Sequence, residues 1–241
     1  MSGRAAAVIV AGGTGSRIGG PPKQFREIGG HPMLAWSCER FVVHPEIDAV
    51  VVVVPAEIAA DPPAWLRRPG LRLAAGGATR RASVRAGLVA LTDAGLGDSV
   101  VLIHDAARPF VSAELIGRLA RAAVDGAVIP VLRLPDTIKR MGPADDGGSL
   151  QRVEATLDRE CLRAAQTPQA FPFAVIHRLH EEAASDGIEP TDDADLCERA
   201  GIEVRAVEGE RLAWKVTHPE DLATAEWLVA SGRVVPPGSG P

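Results

Sequence analysis

Five consecutive valines, Val50 to Val54, lie in the run Ala49 to Pro55 (AVVVVVP) and limit the fold more than any other segment. A strand with one wet face alternates apolar and polar residues, so an unbroken β-branched run has to be buried on both faces. Ser99 to His104 (SVVLIH) repeats the pattern, and Ala127 to Val131 is a third case. Helical stretches lie between and around these runs, over Pro32 to Val43, Ala82 to Leu91 and Ala113 to Val124. This alternation predicts an α/β fold, with a mostly parallel sheet flanked by helices on both faces. Ligands on such sheets sit beyond the carboxyl ends of the strands.

The rhythm breaks near Leu132. Residues Leu132 to Glu154 contain Pro135, Pro143 and the polar run Asp145-Asp146-Gly147-Gly148. Thr137 to Arg140 and Gln151 to Glu154 alternate as paired strands do, which predicts a hairpin leaving the main sheet; a long irregular loop is the alternative. Helical patterns resume over Pro172 to Ala184, over Asp192 to Ala200 with Thr191 as N-cap, and over Pro219 to Ala230. The expected organisation is one domain over residues 1–235, with an arm at roughly 132–160 and a frayed Pro/Gly/Ser-rich tail at 236–241.

A chain of 241 residues buries one good core or two small ones. Its formal net charge of -5 argues against a nucleic-acid binder working through a basic surface, so any anion site has to be local. Cys38, Cys161 and Cys197 are far apart and odd in number, which points to a reducing compartment rather than a disulfide framework or Cys-rich zinc site. The apolar run Ala5 to Val10 reads as a first core strand, not a signal sequence, and no apolar run is long enough to span a bilayer. The expected location is the cytoplasm, with no membrane partner.

The segment Val10-Ala11-Gly12-Gly13-Thr14-Gly15-Ser16-Arg17-Ile18-Gly19-Gly20-Pro21-Pro22-Lys23-Gln24 follows that first strand. Glycines let backbone N–H groups approach an anion closely, and Arg17 and Lys23 add full charges, so a polyphosphate suits the loop. It is neither of two better-known phosphate loops. Pro21 and Pro22 stand where a Walker A loop needs Lys and Ser/Thr, and Ile18 stands at the third glycine of the dinucleotide fingerprint. That second mismatch disfavours a dehydrogenase. A plain turn after an edge strand is the simpler alternative.

Two further segments carry chemistry. In Gly76-Gly77-Ala78-Thr79-Arg80-Arg81-Ala82-Ser83, a Gly-Gly turn precedes a helix start. Free N–H groups and the Ser83 hydroxyl there either read the polar edge of a base or sugar or serve ordinary capping. In His104-Asp105-Ala106-Ala107-Arg108-Pro109, Asp105 directly follows a buried strand. It is a candidate Mg²⁺ ligand, with phosphate and water completing the shell, or one half of an ion pair with Arg108. His104 reads as a packed strand-end residue. Acidic residues after Thr191 suit a helix N-terminus, so capping suffices for Asp192 and Asp193.

As a set, the motifs resemble the 2-C-methyl-D-erythritol 4-phosphate cytidylyltransferases. The similarity runs from about Ala5 to Leu228 through the AGGTGSR and PKQF loop, the GG to SV segment, HDAARP, DTIKR, TPQAF, TDDA and KVT. HDAARP with DTIKR favours this family over the related ribitol-phosphate cytidylyltransferases, which usually have valine at Ala107. The resemblance implies a Rossmann-like sheet, a protruding β-arm that makes a homodimer, and CTP, Mg²⁺ and a sugar-alcohol phosphate as ligands. It implies cytidine contacts at Ala11, Gly12, Gly13, Gly77, Ser83 and Ala106, and a metal-binding, nucleotide-side Asp105. It also implies catalytic cations at Arg17 and Lys23, and substrate-phosphate contacts at Thr137, Arg159, Thr191 and Lys215. Thr137 and Arg159 would serve the neighbouring subunit.

Several positions depart from the family pattern. The stretch from Arg17 to Lys23 is one residue short, Gly12 replaces a frequent alanine, and Ala78 replaces a common acid. Leu212 and Ala213 stand where Asp and Asn are frequent. The length leads us to expect no fused cyclodiphosphate synthase domain after Ala230. A catalytically dead nucleotide-binding regulator would have lost Arg17, Lys23 or Asp105, and all three are present.

Overall fold

The computed structural model describes residues 5–13, 22–96, 100–145 and 150–238. The expectations attached to Arg17 and its glycine neighbours, to Ser99, to Asp146-Gly147-Gly148 and to the last three residues of the tail lie outside the described residues. The chain opens with β1 (Ala5–Val10), the short pair β2 (Glu27–Ile28) and β3 (His31–Pro32), then α1 (Met33–Val42) and β4 (Ile47–Val54). Next come α2 (Ala56–Ala60), β5 (Leu71–Ala75), α3 (Arg80–Asp93), β6 (Val100–Asp105), α4 (Ala113–Ala122) and β7 (Ala127–Arg133). The remainder is β8 (Lys139–Ala144), β9 (Gln151–Thr156), β10 (Arg163–Ala165), β11 (Gln169–Pro172), α5 (Phe173–Ser185), α6 (Asp193–Arg199), β12 (Val204–Glu208) and α7 (Pro219–Ala230).

Among the described residues an eight-stranded sheet runs β10-β7-β11-β6-β1-β4-β5, with β12 beside β7. β1 is parallel to β4 and to β6, β5 to β4, and β12 to β7. β10 and β11 run against their neighbours. The sheet is therefore mostly parallel and carries helices on both faces, as the valine runs require. The strand period of two divides the core. Val50, Val52 and Val54 pack with Leu34 and Phe41 of α1 and Leu115 of α4, whereas Val51 and Val53 pack with Leu88 of α3 and Ile176 of α5. Val51 to Val54 are wholly buried, each contributing about 1.5–3 kcal/mol of apolar transfer.

Helix starts follow local chemistry. The Thr79 side chain accepts from Ala82 N at the head of α3, and that of Ser112 accepts from Leu115 N at the head of α4. The start of α6 differs from expectation by one residue. Asp192, not Thr191, is the N-cap, its Oδ1 accepting from Asp195 N at 3.0 Å. Thr191 points the other way, donating through N and Oγ1 to Asp195 Oδ2 at 3.0 and 3.1 Å. A carboxylate accepts the charged-group bond better than a hydroxyl, and the helix start shifts to use it.

The segments expected to leave the sheet form an antiparallel hairpin with a two-stranded sheet of its own, β8 against β9. Its first strand begins at Lys139, two residues after Thr137, and runs on to Ala144. Met141, Leu150 and Val153 are exposed on it. No helix among the described residues is long and apolar enough to cross a membrane.

Candidate active site

β1 and β6 end side by side, with Val10 opposite Asp105 in the parallel register. Each strand delivers its loop to the same edge. Ala106 N donates to Val10 O at 3.1 Å, Ala11 N to Val53 O at 2.7 Å and Gly76 N to Val54 O at 2.8 Å, so three loops are fixed at their roots. Between them opens a cavity of about 500 Å³. This is the crevice beyond the carboxyl ends of the strands, where the order turns back on itself through β1.

The glycines there serve close approach. A Cβ on Gly77 would lie 2.4 Å from Ala82 Cβ, and one on Gly76 would lie 3.3 Å from Gly12 Cα. The two glycine turns thus touch backbone to backbone, and none of Gly12, Gly13, Gly76 and Gly77 needs a positive φ. Ser83 is buried and ties the second turn, its Oγ accepting from Gly77 N at 3.2 Å and donating to Thr79 O at 3.0 Å. The capping role falls to Thr79, which frees Ser83 for this one. Gln24, also buried, holds the first turn, Nε2 donating to Ala11 O at 2.7 Å and Gly13 O at 2.9 Å.

The charged groups gather around Asp105. Arg80 Nε donates to its Oδ1 at 3.2 Å, and Lys215 Nζ donates to its Oδ2 at 2.7 Å. Burial alone would raise the Asp105 carboxyl, but the charges of Arg80 and Lys215 outweigh it and hold the group well below the usual carboxylate range. Arg80 is itself raised above its ordinary value: Asp193 and Asp105 prevail over the burial that would lower it. Arg108, one expected partner of Asp105, spends its hydrogen bonds on carbonyls, Nη1 on Ala213 O at 2.8 Å and Nη2 on Ala165 O at 3.5 Å. Ala213 thereby supports the Lys215 segment through its backbone, although Asp and Asn side chains are missing there. Lys23 Nζ donates to Val216 O at 3.2 Å, and Val216 N donates to Ala107 O at 2.8 Å, which seats the Lys-Val-Thr segment on the β6 loop.

His104 is fully buried. Its Nδ1 lies 3.2 Å from Thr167 Oγ1 and its Nε2 lies 3.1 Å from Arg108 O, and burial pushes its pKa down to about 4. It is the packed strand-end residue its position suggested. Thr167 Oγ1 also accepts from Asp105 N at 3.0 Å and so helps to set the strand end.

Of the expected site residues, Ala11, Gly12, Gly13, Lys23, Gly77, Ser83, Asp105, Ala106 and Lys215 line the cavity. Thr137, Arg159 and Thr191 are exposed and do not line it. Arg159 lies just beyond the hairpin and donates to Pro135 O at 2.5 Å, and Thr191 rests on Asp195. Arg17 lies outside the described residues. Sequence reading missed the roles of Arg80, Gln24, Thr167 and Asp193. Gln24 had one signal, its place beside Lys23 at the end of the glycine loop.

Among the described residues no three His, Cys, Asp or Glu side chains gather as a metal nest. Asp105 is the lone carboxylate among the described residues that line the cavity. That donor set fits Mg²⁺ arriving with phosphate oxygens and water, and does not fit a cation held by protein alone.

Comparison with known proteins agrees with this architecture. A profile of the family described as 2-C-methyl-D-erythritol 4-phosphate cytidylyltransferase (IspD) matches residues 5–231. A bifunctional enzyme IspD/IspF of Rhodopseudomonas palustris (strain HaA2) is 46% identical over 227 residues, covering 92% of this chain and 55% of the relative. The chain spans about half the length of the curated relatives it matches. A 2-C-methyl-D-erythritol 4-phosphate cytidylyltransferase structure from Thermus thermophilus superposes with TM-score 0.74 at 37% identity, over 95% of this chain and 98% of that one. A 4-diphosphocytidyl-2C-methyl-D-erythritol synthase structure from Anaerococcus prevotii DSM 20548 gives TM-score 0.79 at 30% identity, over 95% and 100%. Sequence, sheet order and cavity thus converge, and the chain belongs to the 2-C-methyl-D-erythritol 4-phosphate cytidylyltransferase family.

Proposed function

We propose that the protein transfers CMP from CTP to 2-C-methyl-D-erythritol 4-phosphate, giving 4-diphosphocytidyl-2-C-methyl-D-erythritol and pyrophosphate in isoprenoid precursor synthesis. The observation that carries this reading is the meeting of Lys215 with Asp105 at 2.7 Å beside two glycine turns and Lys23, in a cavity where Asp105 is the lone lining carboxylate among the described residues. A site so built receives polyphosphate, and the family supplies the acceptor.

A phosphate oxygen of the acceptor attacks the α-phosphorus of CTP. A new P–O bond forms there as the bond to the β-phosphate bridging oxygen breaks, and pyrophosphate leaves with that electron pair. The nucleophile is already anionic near neutral pH, since the second pKa of a phosphate monoester is about 6. No general base is needed, and the barrier is repulsion between anions. The turns at Ala11 to Gly13 and at Gly77, with Ser83 and Ala106, receive the cytidine. Lys23 and Arg17 stabilise charge on the triphosphate and leaving group, so positioning and electrostatics supply the rate. Lys215 exchanges Asp105 for the acceptor phosphate. When bound, Mg²⁺ on Asp105 supplies Lewis-acid neutralisation of phosphate charge.

Thr137 and Arg159 complete the phosphate site of a second copy, carried there by the β8–β9 hairpin in a homodimer. Exposed Met141, Leu150 and Val153 on that hairpin support this reading. Thr191 joins the phosphate set on the family pattern alone. The three cysteines are free, which suits a reducing, cytoplasmic setting. A single catalytic domain over 1–235 suits the eight-stranded sheet, to which strands from β1 to β12 contribute.

The test is pyrophosphate release with CTP, Mg²⁺ and 2-C-methyl-D-erythritol 4-phosphate, run beside ribitol 5-phosphate. Release with the first acceptor alone supports the assignment. Preference for ribitol 5-phosphate would move the protein to another acceptor class, and no release with any polyol phosphate would end the enzymatic reading. Sedimentation equilibrium of the protein and of Val153→Glu tests the dimer.

A further inference from the structure

Arg80, the first residue of α3, spreads its guanidinium between two carboxylates. Nε donates to Asp105 Oδ1 at 3.2 Å, and Nη2 donates to Asp193 Oδ2 at 2.8 Å. Asp193 is wholly buried at the start of α6, and its Oδ1 lies 3.1 Å from His180 Nε2 on α5. His180 is wholly buried too, and its Nδ1 has no hydrogen-bond partner among the described residues. A continuous row of polar contacts thus runs Lys215, Asp105, Arg80, Asp193, His180, from the cavity into the helix layer behind it. Arg80 lines the cavity; Asp193 and His180 do not.

Burying charged groups is costly, and apolar residues in place of the whole buried set would often serve packing as well or better, so packing alone does not account for Asp193. What Asp193 adds is a grip on Arg80 from behind. Gln169 Oε1 holds that grip in place by accepting from the backbone N–H groups of Asp193 and Ala194 at 3.1 and 3.0 Å. The two cations on Asp105 therefore differ. Arg80 is a planar fork fixed at both ends, whereas Lys215 is a point charge on a flexible stem whose side chain is 41% exposed.

Resting on the cytidylyltransferase reading, we infer that Arg80 is a positioning residue, anchored by Asp193 and His180, that fixes one edge of Asp105 and leaves the other edge for the magnesium–nucleotide complex, whose binding displaces Lys215. Asp193 draws off part of the Arg80 charge that would otherwise compete with the cation for Asp105. The buried pair thereby tunes a site it never touches.

The experiment is calorimetric binding of CTP without acceptor, in EDTA and in saturating Mg²⁺, with the ratio of the two dissociation constants as the readout. Asp193→Asn keeps the shape but removes the anchoring charge, and Arg80→Lys keeps a charge but cannot bridge two carboxylates. Both are expected to lower the ratio by about fivefold or more. In turnover, kcat falls and the acceptor KM holds. A merely structural role would lower the active fraction and leave the ratio alone. Folding of each variant is checked by circular dichroism; should Asp193→Asn not fold, Arg80→Lys, at a partly exposed position, carries the test. A ratio within about twofold of wild type in a folded variant overturns the inference, as does a wild-type ratio near one. No CTP binding by the wild type overturns both this inference and the activity it rests on, whereas normal wild-type binding with unaffected variants overturns this one alone.

Discussion

Lys215 Nζ lies 2.7 Å from Asp105 Oδ2, although 110 residues separate them in the chain. The contact sets a positive charge against a buried carboxylate, and under the proposed function it also stores the lysine where the acceptor phosphate is to be received.

Lys215→Ala is therefore expected to act mainly on the acceptor. Its KM should rise about tenfold or more, the usual worth of a hydrogen bond to a charged group, with CTP affinity changed less. Initial rates over an acceptor series at saturating CTP measure this. An unchanged acceptor KM would move the phosphate site elsewhere.

Lys23→Ala should lower kcat by about a hundredfold, or about 3 kcal/mol, with a smaller effect on CTP binding, because the charge matters most as pyrophosphate departs. Single-turnover rates beside calorimetric CTP binding separate the two effects. Normal turnover in this variant would remove Lys23 from the catalytic set.

Gln24→Glu exchanges a donor for a group that faces two carbonyl oxygens. The buried site then loses two hydrogen bonds and gains repulsion, so urea unfolding should register a loss of about 2–3 kcal/mol. The CTP KM should rise as well, since the carbonyls of Ala11 and Gly13 lose their clamp. Wild-type stability in this variant would contradict the role given to Gln24.

His104 yields a pH dependence. Its folded pKa of about 4 lies below the ordinary 6.5, so the unfolded chain binds the proton first. Its contribution is complete above pH 6.5, is lost as pH falls toward 4, and changes no further below that. The loss is at most about 3 kcal/mol. Urea melts at stepped pH should show this slope, and His104→Gln should abolish it. Asp105 and Asp193, both lowered, lose their contributions in a more acidic window.

Thiol labelling should find one fast cysteine. Burial pushes Cys38 up to about 12 and Cys197 up to about 11, whereas Cys161 is exposed. At pH 8 the native protein should react quickly at Cys161 and slowly at the others, read by mass spectrometry of labelled peptides. Fast labelling of Cys38 would mean that α1 opens readily.

The valine runs and their intervening helices are legible in the sequence because double burial leaves no polar alternation to confuse with a helix. The glycine turns and Asp105 are legible because their loops follow those strands directly. What stays hidden depends on tertiary placement. Asp192 and Asp193 look alike after Thr191, yet one caps α6 and its neighbour turns inward to an arginine 113 residues earlier. Arg80 is one of two adjacent arginines, and only the tertiary placement of α6 near the start of α3 distinguishes them. Arg108 looked like the natural partner of Asp105 from three residues away, but the local turn sends its guanidinium to carbonyls instead.

The seating of Val216 on the β6 loop, with Lys23 bonded to Val216 O, has a consequence for synthesis on the ribosome. A nascent or prematurely terminated polypeptide that stops short of this segment lacks the Lys215 ammonium and leaves Asp105 with Arg80. Under the proposed function, the site is therefore complete only after Lys215 to Thr217 have been made, and copies that stop before them should hold nucleotide less well.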